Sequence, residues 1–309
     1  MPIGTITKSQ VLKGGQALAD AINQQGYVAH PWQNVFYVQS THTRAVDTNN
    51  AGKSAAAPLK TIVKAVSLAA AGDMIIVGPG HVETVSTAAG LNISKAGLTI
   101  VGIGEDAQRP AINCSAVAAY WEISGAGVRM SNFQIAPTID AVTKLLNISG
   151  AGVRIDGFRI DESATMQSVT GISVAATASR GKIIGLEAEQ YTAGATACIG
   201  IAGALTEFTI ADCVIRGDYS TGNISVTAAA LHLDITRNKL HNLNTNVCII
   251  CGAVAASGLI SYNLCSLTGA TVAPFAAAIT LGSAIWVLFE NYAVDGAGLT
   301  GALIGTAAT

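Results

Sequence analysis

Ile123-Ser-Gly-Ala-Gly-Val-Arg129 recurs as Ile148-Ser-Gly-Ala-Gly-Val-Arg154, seven unchanged residues at an offset of 25. Beyond the heptapeptide, Met130, Phe133 and Ile135 are answered by Ile155, Phe158 and Ile160 at the same offset. A period of this length belongs to stacked-repeat architectures, in which each unit buries its apolar side only against its neighbours. Within the unit apolar residues alternate with polar or small ones, and Asp156-Gly157 interrupts the alternation as a turn. Short strands, tight turns and this period make one coil of a β-solenoid.

The period runs on with less identity. Phe208-Thr-Ile210 aligns with Leu233-Asp-Ile235, and Ile235 aligns with Ile260, again at steps of 25. Lys182-Ile-Ile-Gly-Leu-Glu187 matches Arg154-Ile-Asp-Gly-Phe-Arg159 at 28, as Glu290-Asn-Tyr-Ala293 matches Tyr262-Asn-Leu-Cys265. A fixed rung with occasional loop insertions produces both spacings. A leucine-rich horseshoe shares the period but requires a leucine-and-asparagine signature that the chain lacks. The expected fold is all-β, a right-handed single-stranded parallel β-helix of about nine coils, with a short helical amino-terminal arm and a capping helix. At ~4.8 Å per rung it would be on the order of 43 Å long.

Only 12% of the 309 residues are charged, against about 25% in an ordinary globular chain. The formal charge of −2 gives no reason to expect a nucleic acid or an anionic membrane as partner. A solenoid has much surface for its volume, so the scarcity of charge implies that part of the outer wall is covered by another chain. Runs of small residues at Ala175–Ala178, Ala193–Ala197, Ala228–Ala230, Ala253–Ala256 and Ala276–Ala278 recur at intervals near the repeat. They are expected to stack into one flat wall that copies of the chain bury against each other.

Six cysteines fall on expected strands, and Cys213 and Cys265 occupy rungs otherwise filled by Phe158, Ile160 or Leu240. They read as small buried hydrophobes, in keeping with a reducing cytoplasm during synthesis. Cys248-Ile-Ile-Cys251 has metal-site spacing without a second pair to complete it. Four sequons (Asn92, Asn113, Asn147, Asn223) read as polar coil positions, since the amino terminus shows no secretory signal. Between Gly269 and Phe289 no residue is charged, but Pro274, Gly282 and several threonines favour two buried strands over a membrane span.

Residues 1–34 do not follow the repeat and form an arm, a possible attachment segment, with a weak helical stripe from Ser9 to Gln25. Residues 35–73 hold an opening strand, a polar loop and an amphipathic helix from Pro58 to Gly72 that would cover the first rung. The β-helix spans 74–295, and 296–309 form a small-residue cap or tail.

Strand Val35–Val38, the loop with Asp47, Pro58-Leu59-Lys60-Thr61-Ile62 and Gly72-Asp73-Met74-Ile75-Ile76-Val77-Gly78-Pro79-Gly80 together resemble the amino-terminal lead-in of pectin-lyase-like β-helix proteins. With the coils, the resemblance covers roughly residues 35–295. It implies the fold; its members include polysaccharide lyases and hydrolases as well as tailspikes, fibres and head decorations of tailed bacteriophages. The polygalacturonase-like motifs (paired aspartates, Gly-His-Gly, Arg-x-Lys) and the calcium lyases' aspartate cluster are missing from the chain.

Glycoside hydrolysis requires two carboxyls ~5–9.5 Å apart. Asp156 has Ser131 and Ile184 at its neighbouring positions, Asp161-Glu162 has Ala136-Pro137, and Asp212 faces Arg237 as a ladder ion pair. The five histidines (30, 42, 81, 232, 241) are scattered and read as structural. Arg129, Arg154 and Lys182 form one ladder, the candidate contact for a partner or an acidic glycan.

The expectation is therefore a non-enzymatic virion protein assembled in the host cytoplasm, a head decoration protein forming homotrimers on the major capsid protein or another virion protein. It would have no catalytic, cofactor or metal site and no nucleic-acid or membrane partner. The alternative is a tailspike, lyase or hydrolase that binds or cleaves host surface polysaccharide.

Overall fold

The computed structural model describes residues 34–190, 194–244, 247–252, 256–267, 279–281, 285–295 and 298–304. The expected arm helix from Ser9 to Gln25 lies outside them. Three long sheets run the length of a parallel solenoid: face A and face B with ten strands each and face C with eight. The chain visits A, B and C in order, so Met74–Val77, Val82–Val85 and Leu91–Ile93 make the first turn and Thr99–Gly102 begins the second. Eight turns are complete, and Ile285–Phe289 with Asn291–Asp295 begin a ninth. Strand Gly298–Ile304 then reverses and pairs antiparallel with Asn291–Asp295.

Alternation decides which side chains enter the core. On face A, Ile75, Ile100, Met130, Ile155, Ile183, Ile210, Ile235 and Ile260 lie in register, one above the next, all buried. Face B stacks Ile112, Ile135, Ile160, Ala188, Ile215, Leu240 and Cys265 in the same way. β-Branched side chains suit this pleated, close-packed ladder. The repeated heptapeptide proves to be the end of a face C strand, the C-to-A corner and the first residue of a face A strand. Its glycines are obligatory: Gly127 and Gly152 both have φ +67, and a Cβ on Gly150 would collide with the Gly125 carbonyl oxygen.

The A-to-B corner is a one-residue turn in the left-handed region, filled by Asn132, Gly157, Gly185, Asp212, Arg237, Tyr262 and Glu290 in successive turns. The buried residue that follows it is Phe133, Phe158, Leu186 and Cys213 in turns three to six, then Asn238, Asn263 and Asn291. Trp121 stacks on Phe158 at 5.7 Å and completes an aromatic cluster with Phe133. Higher up, Asn238 donates through Nδ2 to Asn263 Oδ1, and Asn263 to Asn291 Oδ1, both at 2.9 Å. The same amides donate to the carbonyls of Ile210, Ile235 and Ile260. Amides inside an apolar stack are tolerable because the corner's main-chain groups pair with them.

The capping helix, α1, covers Ile62–Leu68 and is shorter than its apolar spacing suggests. Leu59 is bound on both sides to the opening strand, its N–H to Tyr37 O and its carbonyl to Gln39 N, so Pro58–Lys60 stay extended. Thr61 caps the helix, and the Asp47 carboxylate accepts from Lys60 N, Thr61 N and Thr61 Oγ1. Beneath it, Glu83 takes the first place on the inward ladder of face B. Its carboxylate accepts from Ile62 N at 2.6 Å and Val63 N at 3.2 Å, a negative charge against a helix amino terminus. His81 is fixed by Ser40 N–H into Nδ1, so Nε2 carries the proton it directs at Glu83, 3.4 Å away.

The small-residue runs do not form one wall. Ala175–Ala178, Ala228–Ala230 and Ala256 lie in the C-to-A corner, whereas Ala195–Ala197 begin a face C strand. Ala178, Ala230 and Ala256 point inwards and are buried. The rest of these runs, at 193, 253–255 and 276–278, lies outside the described residues.

Candidate functional site

The cationic ladder read from the sequence exists. Arg154 is in register with Arg129 on one side and Lys182 on the other, all exposed on face A. Arg154 also grips Asp156, two residues on, with Nε–Oδ2 at 2.7 Å and Nη2–Oδ1 at 2.9 Å. Asp156 itself lies between Ser131 and Ile184, as its spacing implied. Asp212 and Arg237 make the expected ladder pair, bidentate at 2.8 Å, and the guanidinium holds the Asp212 carboxyl below its usual range.

Asp161 has no acid at Ala136, but on its other side it is in register with Glu189 on face B. Two carboxylates thus stand on adjacent rungs of one ladder, with main chains ~4.8 Å apart. The step between these turns is 28 residues, the same offset that relates Arg154 to Lys182. Carried two residues past Glu187, that offset reveals the pair from sequence.

The pair lines an open cleft of about 410 Å³ with Arg159, Glu187, Val214 and Arg216. Gln134 donates to Asp161 at 3.0 Å and Arg159 approaches it at 3.9 Å, while Arg216 binds Glu189 at 2.9 Å. His241 follows Arg216 on the ladder, and partial burial and that guanidinium lower its pKa. The cleft is a mixed-charge surface able to hydrogen-bond a polar chain.

A second hollow, about 310 Å³, opens at the B-to-C corner between Asp140, Ala164, Gln167, Ser168 and Gly194. Behind it Glu162 is buried, its Oε1 accepting from the backbone N–H and hydroxyl of Ser168. Burial pushes its carboxyl up to about 7; the Ser168 hydrogen bonds oppose this and Asp140 adds to it.

The cysteines behave as buried hydrophobes. All six are free and buried, Cys213 on the Phe158 column and Cys265 on the Ile160 column. Burial pushes the thiols of Cys114, Cys213 and Cys251 up to about 12, which keeps them inert. No group of three metal-ligating side chains occurs among the described residues. None of the described helices is long and apolar enough to cross a membrane. Among the described residues no aromatic side chain lines the cleft: Trp121, Tyr219 and Trp286 are buried, while Tyr262 and Tyr292 stand exposed near the carboxy-terminal end.

Those two belong to a patch that composition alone did not locate. Face A's outward column runs Lys182, Thr209, Asp234, Leu259, Val287, and face B's runs Glu187, Val214, Lys239, Leu264, Tyr292. Both columns lose charge at the eighth turn and become apolar.

The architecture is a parallel β-helix, as the lead-in and the coils imply. No family model matches the chain, and no curated protein matches it. Among solved structures it is similar to a rhamnogalacturonan lyase, with TM-score 0.47 and 13% identity over 77% of this chain and 74% of that one. It is also similar to the Dettilon tailspike protein, TM-score 0.46 and 14% identity, over 85% of this chain and 62% of that one. A third likeness, to ORF18 of Geobacillus virus E2, has TM-score 0.36 and 11% identity over 91% and 64%. The chain thus spans less than two thirds of either viral protein.

Proposed function

We propose that this chain is a structural protein of a bacteriophage virion, a head decoration protein that assembles as a homotrimer against the major capsid protein or another virion protein. The distribution of charge along the solenoid carries this reading. From Leu240 to Phe289 there is no Asp, Glu, Lys or Arg, while outward positions of the middle turns carry both signs. A wall meant to meet water at every turn would carry charge to its end; one that meets other chains would not. Electron microscopy of assembled particles with a labelled chain tests it. Label spread over the head supports the reading, and label confined to the tail tip or absent from particles rejects it.

The in-register pair Asp161 and Glu189 supports a second reading, a tailspike or hydrolase acting on host surface polysaccharide. Purified protein is expected to release neither reducing ends nor unsaturated sugars from such polysaccharides. Turnover that disappears in both Asp161→Asn and Glu189→Gln would replace the first reading with the second.

A further inference from the structure

Two apolar half-patches flank a single corner of the solenoid at the same height. On face A, Leu259 and Val287 are in register, and Phe289 is the last residue of its strand. On face B, Leu264 and Tyr292 are in register. Tyr262, at the corner between the faces, meets Phe289 edge-on with ring centroids 5.4 Å apart. These six side chains are 37–58% exposed, and Ser261, in register with Phe289, is buried. At ~150–250 Å² per aromatic side chain, the six uncover on the order of 500 Å². Divided between the two faces, that is on the order of 250 Å² each, the apolar centre of an interface whose standard size is ~800 Å² per partner.

We propose that this corner is the self-association surface of the chain, with face A of one copy packed on face B of the next around an axis parallel to the solenoid. The proposal deepens the assembly reading above by naming the surface. An unrelated partner or a lipid surface needs one apolar face; here two adjoining faces are apolar over the same two turns. Rotation about an axis beyond the corner brings one half-patch against the other without any shift along the solenoid. The contact is heterologous and closes into a ring, leaving no apolar face open for fibre growth. The aromatic side chains supply the anchors such interfaces rely on. Glu290 forms the corner of the last turn and so faces the axis, at the end of the stack where its carboxylate reaches water.

Cysteine cross-linking of the full chain tests the geometry, because all six native thiols are buried and unreactive. The double variant Val287→Cys/Tyr292→Cys is expected to give covalent closed oligomers under mild oxidation, and either single variant none. Phe289→Glu is expected to reduce the light-scattering mass about three-fold, to one chain, with an unchanged circular dichroism spectrum. Cross-linking of Val287→Cys alone, or an undiminished mass for Phe289→Glu with the fold intact, overturns the proposal. So does a wild-type chain that is monomeric at micromolar concentration. Location on the particle is read separately. A ring that forms on a protein absent from the head would therefore reject the virion reading and leave this one standing.

Discussion

At the residue scale the core tolerates no charge without a partner. Ile155 and Ile210 each sit between two apolar rungs, so Ile155→Asp or Ile210→Asp places a carboxylate where neither water nor a cation reaches. Each is expected to cost more than about 4 kcal/mol and to abolish soluble expression, read from the soluble fraction and circular dichroism. Glu162 is a natural carboxylate in such a place, held by Ser168. Its folded-state pKa, about 7, lies above the ordinary 4.5, so the folded chain favours its protonated form. Stability is full below about pH 4.5 as far as this group is concerned, and is lost as pH rises towards 7 and ionisation begins to cost burial energy. The shift corresponds to about 3 kcal/mol at most. Glu162→Gln is expected to flatten the thermal midpoint between pH 5 and 8 and to raise it at pH 8. A variant whose midpoint still falls with pH as in the wild type would place the titration elsewhere.

Among elements, the cap depends on a residue that alternation would never place where it is. Glu83 stands at the head of an isoleucine ladder, and its carboxylate belongs there only because α1 presents free N–H groups above it. Glu83→Leu suits the ladder but strands those donors, and is expected to cost about 2–3 kcal/mol, seen as a lower thermal midpoint. Glu83→Gln, which keeps one acceptor oxygen, should fall in between. Equal midpoints for Leu and the wild type would show that water, not Glu83, satisfies the helix. The same contrast explains what was legible. The rungs could be read because Ile, Gly and Val recur at fixed steps that turn sterics impose, as in the heptapeptide from Ile123 to Arg129. The Asp161–Glu189 pair was missed because the loop before Lys182 lengthens that step, and a comparison confined to the preceding turn ends at Ala136. Asn238, Asn263 and Asn291 also keep the period, but an amide reads as a surface residue until the corner carbonyls it serves are visible.

For the whole molecule the question is which of two unlike outer surfaces holds the assembly together. The ladder of Arg129, Arg154 and Lys182 would hold an anionic partner by charge, and the corner of turns eight and nine would hold copies by apolar burial. Salt separates them. The Debye length falls from about 10 Å at 0.1 M to about 3 Å at 1 M, so contacts between exposed charges weaken over that range. Apolar burial is indifferent to screening and is strengthened by an excluded salt such as sulfate. A mass near three chains is therefore expected to persist in light scattering from 0.1 to about 1 M sodium chloride, and to be firmer still in sulfate. Assembly also favours the folded state by mass action, so the thermal midpoint should rise with protein concentration in the wild type and not in Phe289→Glu. Dissociation at high chloride, with reassembly on dilution of the salt, would move the subunit contact from the apolar corner to the charged middle turns.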